Sequence, residues 1–166
     1  EISGTTDIAQ RPEFAARRTV KRIDGVELDG WFTEDFDWAE LATLRASERI
    51  PDVRRASATL GGRGGILRLS DLIDLLETTV TGRGRLPILV AEIKHATHFD
   101  SIGLPLHELL ARELDGRLDP DRVIVGVRRE ADRARVQAML APITDRIEWM
   151  RVESAESGPE AVALID

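Results

Sequence analysis

Pro87-Ile88-Leu89-Val90-Ala91-Glu92-Ile93-Lys94 is the stretch on which the fold turns. Such a short apolar run, following a helical pattern, reads as a buried parallel strand. Side chains alternate along a strand, so Ile88, Val90, Glu92 and Lys94 share one face. Leu89, Ala91 and Ile93 share the other, which would meet covering helices. Two opposite charges therefore sit on one face at the C-terminal end of the strand. In open α/β sheets and α/β barrels that end is where ligands bind.

Working outward, Ser70 is placed to cap the preceding helix, with Leu72, Ile73, Leu75 and Leu76 as its buried face. Thr78 to Arg85 reads as a polar turn. After the strand a loop is expected from His95 to Gly103. A helix then runs from about Pro105 to Leu114, with Leu106, Leu109, Leu110 and Leu114 at helical spacing, and Asp115-Gly116 ends it. Val123-Ile124-Val125-Gly126-Val127 is a second buried strand. Glu130 to Leu140 reads as a helix carrying Ala131, Ala134, Ala138 and Leu140, and residues 147–152 as a third strand. Ser157-Gly158-Pro159 reads as a loop. This alternation argues for parallel βα units. No internal repeat is present.

The N-terminal part is less regular. Residues 1–7 read as the inside of a loop. Arg11 to Gly30 mixes charges of both signs with little periodicity. Its most basic run, Arg17-Arg18-Thr19-Val20-Lys21-Arg22, is read as a solvated surface against an anion-facing alternative. Asp37 and Glu40 form a capping-box pair. Leu41 and Leu44 would continue a short amphipathic helix that Pro51 closes. Gly61-Gly62-Arg63-Gly64-Gly65 is a flexible linker, with phosphate cradling as the rival reading. It is not a P-loop, because no lysine-bearing helix follows.

The 166 residues fit one domain, and the net charge of −7 argues against a nucleic-acid partner. No apolar run approaches the ~20 residues of a membrane helix, and no signal peptide is visible. Without cysteine, disulfides, thiolate metal sites and cysteine catalysis are excluded. Trp31, Trp38 and Trp149 read as packing anchors rather than a base-stacking platform.

The charged end of the strand carries the chemistry. A carboxylate such as Glu92 is a good hard-cation ligand. Lys94, two residues on, is within reach of a phosphate. Together they suit cation-assisted attack on phosphorus, and a structural ion pair is the plain alternative. His95 would face away from Glu92 if the strand persists. His98 would lie in the loop; either could serve as a general acid or base, or have no role. His107 is expected on the surface of its helix. Neither a G-x-S-x-G elbow nor an H-E-x-x-H zinc motif occurs.

Several motifs, in order, resemble a known family. Glu1-Ile2-Ser3-Gly4-Thr5-Thr6-Asp7-Ile8-Ala9 and Arg11-Pro12-Glu13-Phe14-Ala15 come first. Gly30-Trp31-Phe32-Thr33-Glu34-Asp35-Phe36 and Glu40-Leu41-Ala42-Thr43-Leu44-Arg45 follow. Ala91-Glu92-Ile93-Lys94-His95 and Ser101-Ile102-Gly103-Leu104-Pro105-Leu106 complete the set. The pattern is similar to the glycerophosphodiester phosphodiesterases, in the bacterial branch with a long insertion after the second strand. It covers most of residues 1 to 115 and weakens from 120 onward.

The resemblance implies an α/β TIM (β/α)8 barrel, present here in part. It implies an insertion and connecting region over residues 8–65 and βα units over 66–166. The implied activity is hydrolysis of a small-molecule glycerophosphodiester to an alcohol and glycerol 3-phosphate, with Ca2+ or Mg2+. Glu92 would be a metal ligand and Lys94 would face the phosphate. The family branch is often exported, which favours a secreted or periplasmic site. An oligomer is one way to cover exposed sheet edges.

The departures matter as much. The family's histidine-arginine-glycine motif, its Glu-x-Asp metal pair and a catalytic histidine just before the residue matching Glu1 are not in this chain. A barrel takes about 250 residues. The chain is therefore expected to be an internal piece of a longer parent, inactive alone. Val127-Arg128-Arg129 stands where the family tends to have Ser-Phe-Glu, and Ala58-Thr59 where an Asn-Thr pair is expected. Two rivals stay open: a phospholipase D-like relative, and a diverged barrel that binds a phosphodiester or a protein without chemistry.

Overall fold

In a computed structural model the chain is described over residues 1–80, 82, 84–127, 133, 134, 136–138, 141 and 148–151. It divides into two units, Glu1–Arg68 and Leu69–Asp166.

Sequence periodicity had suggested only mixed charge between Arg11 and Gly30, yet the first unit builds a hairpin there. Strand β1 (Thr19–Ile23) pairs antiparallel with β2 (Val26–Gly30), Ile23 opposite Val26. Asp24 and Gly25 make the two-residue turn, with φ of 52° and 86°. Positive φ at both positions is what a tight hairpin turn requires, and an Asp-Gly dipeptide supplies it. The hairpin leads to Trp31, which packs with Ile2, Ile8, Phe14 and Leu44. The Trp31 indole N–H donates to the Phe14 carbonyl at 2.7 Å. Trp31 is thus a packing anchor, as expected. Asp7 pins a distant segment, accepting from the Arg45 amide at 2.7 Å.

Three of the four basic residues of the run are paired inside this unit. Arg17 pairs with Glu40 at 2.7 Å, Arg18 with Asp29 at 2.8 Å, and Lys21 with both Glu34 and Asp35 at 3.0 and 2.6 Å. Burial alone would push the Lys21 ammonium down, but hydrogen bonds to Asp35 and Glu34 leave it above its ordinary value. A raised folded-state value means its stabilisation is complete below the unfolded lysine pKa. It is lost as pH rises through the folded value. Unfolding measured between pH 6 and 9 should therefore show no Lys21 transition. For Arg17, Arg18 and Lys21 these pairs favour the solvated-surface reading of the run.

The capping box is present as read. The Asp37 carboxylate accepts from the Glu40 amide at 2.9 Å, and Glu40 accepts from the Asp37 amide at 3.0 Å. The helix it starts, α1 (Trp38–Leu41), is only one turn. Leu44 is fully buried but lies beyond the helix, because the chain turns to bridge Ala46 to Thr6 and Arg45 to Gly65. Asp37→Ala is expected to destabilise this unit by about 1 kcal/mol, measured as a shift of the urea midpoint. A second one-turn helix, α2 (Arg55–Ala58), precedes the glycine-rich loop.

The second unit begins with α3 (Leu69–Thr78). Ser70 lies within its first turn rather than at the cap. Ile73 is fully buried, with Leu69, Leu72 and Leu76 packed beside it, but Leu75 is 56% exposed. At 3.6 residues per turn, position 75 points away from 73, which corrects its assignment to the buried face.

Strand β3 (Leu89–Ile93) then pairs in parallel with β4 (Val123–Val127), and β4 with β5 (Glu148–Arg151). Leu89 and Ile93 are buried and Ala91 packs against the same core. The opposite face is open, with Ile88 and Val90 more than half exposed. The segment from His95 to Gly103 is not all loop: α4 (Ala96–Ser101) forms within it and carries His98. Helix α5 (Leu106–Leu114) follows where expected. Gly116, at φ 68°, ends it.

Arg122, just before β4, fixes the entry of β3. Its guanidinium donates to the Leu76 carbonyl at 2.9 Å and the Pro87 carbonyl at 3.0 Å. Of the helix expected over 130–140, residues 133, 134 and 136–138 are described and helical, and Val136 is fully buried. Ala131, Leu140, Arg128-Arg129, Ser157-Gly158-Pro159 and the Trp149 side chain lie outside the described residues. The described architecture is mixed α/β with two small sheets, one antiparallel and one parallel. No described helix is long and apolar enough to cross a membrane.

Candidate functional site

The C-terminal end of β3 is set by the strand's own alternation. Burial of Leu89 and Ile93 against the helices obliges Glu92 to face the other way. Lys94 follows on that side, and its Nζ lies 3.4 Å from Glu92 Oε2. The lysine side chain is 58% exposed and the glutamate 26%. An exposed ammonium held beside a half-sheltered carboxylate can meet an anionic ligand without a large desolvation cost. Glycine at 126, opposite Glu92 on β4, leaves that side of the strand pair without a side chain.

His95 sits directly after Lys94 in the left-handed conformation, φ 55° and ψ 37°. Few non-glycine residues adopt it. Here it swings the chain from the strand into α4, whose first residue, Ala96, is fully buried. His95 is therefore a hinge between strand and helix rather than a continuation of the strand's alternating faces. His98 stands on α4, its ring edge-on to Phe99 with centroids 5.3 Å apart.

His107 corrects the reading of a surface residue. It is 2% exposed on the inner face of α5, with Nδ1 3.5 Å from Asp100 Oδ1. Residues 110, 111 and 114, which follow at helical spacing, are all buried too. That spacing was the signal: the leucines at 110 and 114 carry the stripe back to 107. The two side chains meet between the end of α4 and the start of α5.

A cleft of about 370 Å³ opens beside β3, lined by Ala91, Glu92 and Ile93 with Leu69, Leu106 and Leu109 among the helix residues. Its walls are largely apolar, with Glu92 among the charged residues at its edge. Among the described residues, no group of three or more histidines and carboxylates stands close enough to hold a metal ion. Glu92 offers one carboxylate, which is ion-paired to Lys94. The described residues therefore do not by themselves fit a divalent-cation centre.

Compared with known proteins, the chain matches no family model and no solved structure. One curated relative, described as glycerophosphodiester phosphodiesterase GDPD6 of Arabidopsis thaliana, is 42% identical over 50 residues. That stretch is 30% of this chain and 13% of the plant protein. Over those 50 residues the chain is similar to a protein described as a glycerophosphodiester phosphodiesterase, of whose length it spans about one eighth.

Proposed function

We propose that this chain is part of a hydrolase that cleaves glycerophosphodiesters to an alcohol and glycerol 3-phosphate. The observation that carries the reading is the Glu92–Lys94 pair at the C-terminal end of a parallel strand, in a chain with local likeness to such an enzyme. In this reading β3, β4 and β5 are consecutive strands of a (β/α)8 barrel, and their open face is its interior.

The chemistry asks for charge neutralisation. Water oxygen attacks phosphorus and gives up a proton, the bond to the alcohol oxygen breaks, and the departing oxygen takes up one proton, so the protons balance. Negative charge grows on the phosphoryl oxygens as this happens. Lys94 faces that charge and stabilises it more in the transition state than in the ground state. Glu92 orients the ammonium through its ion pair. The resemblance would further make Glu92 one ligand of a Ca2+ or Mg2+ ion, which would supply additional charge neutralisation at the phosphoryl oxygens.

Product analysis of the protein as purified from its source tests the reading. Glycerol 3-phosphate and free alcohol are expected from a glycerophosphodiester. A cyclic phosphate product would instead indicate the phospholipase D-like relative, and no turnover with either cation would overturn the proposal.

A binding-only descendant is the second reading, favoured by the Val127-Arg128-Arg129 sequence where the family tends to have Ser-Phe-Glu. Calcium and magnesium titrations separate the two. The hydrolase requires cation binding that Glu92→Gln weakens, and the binding protein requires none.

A further inference from the structure

Among the described residues two that are not glycine adopt positive φ. One is Asp24, in the hairpin turn of the first unit. The other is His95, between Lys94 and α4. The faces of β3 show why the chain turns there. Ile93 and Ala96 belong to one buried core. Along a continuing strand, residues three apart point to opposite faces. Both can enter the same core only if the alternation breaks between them. The left-handed residue at 95 stands at that break, and its carbonyl accepts from the Phe99 amide at 3.1 Å as α4 begins. Lys94 therefore lies between two buried anchors, Ile93 before it and Ala96 beyond His95. Its backbone is fixed from both directions while its side chain stays exposed beside Glu92.

We propose that His95 is a positioning residue: its left-handed backbone, rather than its imidazole, aims the Lys94 ammonium at the site. The role of that ammonium rests on the hydrolase reading. What is added is a requirement at position 95 for a residue that tolerates positive φ. Histidine, asparagine and aspartate enter the left-handed region several times more often than other non-glycine residues, and β-branched residues are outliers there. Glycine enters it about as readily as any other region. A β-branched residue at 95 favours extended backbone instead. The strand's alternation would then continue, and Ala96 and Ile93 could share a core only if Lys94 shifted away from Glu92.

The test is a series at this one position, His95→Asn, His95→Gly, His95→Ala and His95→Val, in the full-length protein. Turnover of a glycerophosphodiester is measured per folded molecule, with the folded fraction read by dichroism. His95→Asn and His95→Gly should keep kcat within about threefold of the wild type. His95→Val should lower kcat by about tenfold or more with KM little changed, because the ammonium acts chiefly in the transition state. His95→Ala should fall between, and it carries the comparison if His95→Val does not fold. A residue that serves stability alone would move the unfolding temperature and leave kcat per folded molecule unchanged. Full kcat in folded His95→Val and His95→Ala would overturn the proposal. So would a loss in His95→Asn as large as in His95→Val, because the imidazole would then be the group that matters.

Nuclear magnetic resonance reads the same geometry without turnover. Adding Glu92→Gln should shift the Lys94 side-chain resonances in the wild type and in His95→Asn, and hardly at all in His95→Val. Equal shifts in all three would overturn the proposal whatever the activity. A wild-type protein that hydrolyses no glycerophosphodiester but shows this pattern would remove the hydrolase reading and keep the placement of Lys94 by position 95.

Discussion

Ile73→Ala is expected to destabilise the unit that begins at Leu69 by about 2–5 kcal/mol. Ile73 is fully buried, and it belongs to the same core as Leu89 and Ile93 of β3, Leu110 and Leu114 of α5, and Val125 of β4. Removing three carbons there loses the transfer free energy of the methyl groups and leaves a cavity. The surrounding helices and strands are fixed by the parallel ladder and relax little. Ile73→Val should cost about 0.5–1.5 kcal/mol. Leu75→Ala, two residues away on the exposed side, should stay within about 0.5 kcal/mol of the parent. Urea unfolding followed by dichroism measures all three. Equal losses at 73 and 75 would mean that α3 is rotated from the orientation described.

The second large effect concerns turnover. If the proposed hydrolase reading holds, Lys94→Ala is expected to lower kcat by about a hundredfold to a thousandfold, the loss typical of one preorganised charge aimed at a developing anion. Its stability should hardly change, because the ammonium is largely exposed and an exposed ion pair contributes little. Glu92→Gln should lower kcat by a similar factor, and cation affinity with it. The signature is the contrast between activity and stability. A structural ion pair would give the reverse: intact turnover in both variants. Single-turnover kinetics with a glycerophosphodiester, alongside thermal unfolding, reads both quantities on the same samples.

Much of the second unit was legible in the sequence. Alternation along residues 87–94 placed Leu89 and Ile93 inward and Glu92 and Lys94 together on the opposite side, because a strand's period of two leaves no other choice. Val123–Val127 is legible as a continuous β-branched apolar run rather than by alternation. Helical positions were harder. Leu75 was misplaced because four apolar residues in five hide which side of a helix is buried. His107 was misplaced because residue type was weighed above spacing. The hairpin at Thr19–Gly30 went unread because its strands carry Lys21, Arg22, Glu27 and Asp29, whose charges mask the pattern; only Asp24-Gly25 betrays it. The site is legible to the extent that two of its residues lie on one strand. Any partner from elsewhere in the chain is set by tertiary packing, which periodicity does not encode.

The two kinds of sheet also differ in how they can come into being. In the hairpin, Ile23 meets Val26 across a two-residue turn, a closure that takes microseconds. In the parallel sheet, Leu89 must find Val123 across two intervening helices, and such long-range pairing is slow because loop-closure entropy comes before any contact rewards it. A ribosome delivers about 5–20 residues each second, so the hairpin and its tryptophan core can finish folding before β4 has been synthesised. The strand that carries Glu92 and Lys94 must wait for β4, and its apolar residues stay accessible to chaperones during that interval. Substitutions that slow pairing of β3 with β4 should therefore lower soluble yield at 37 °C before they alter the stability of the finished molecule.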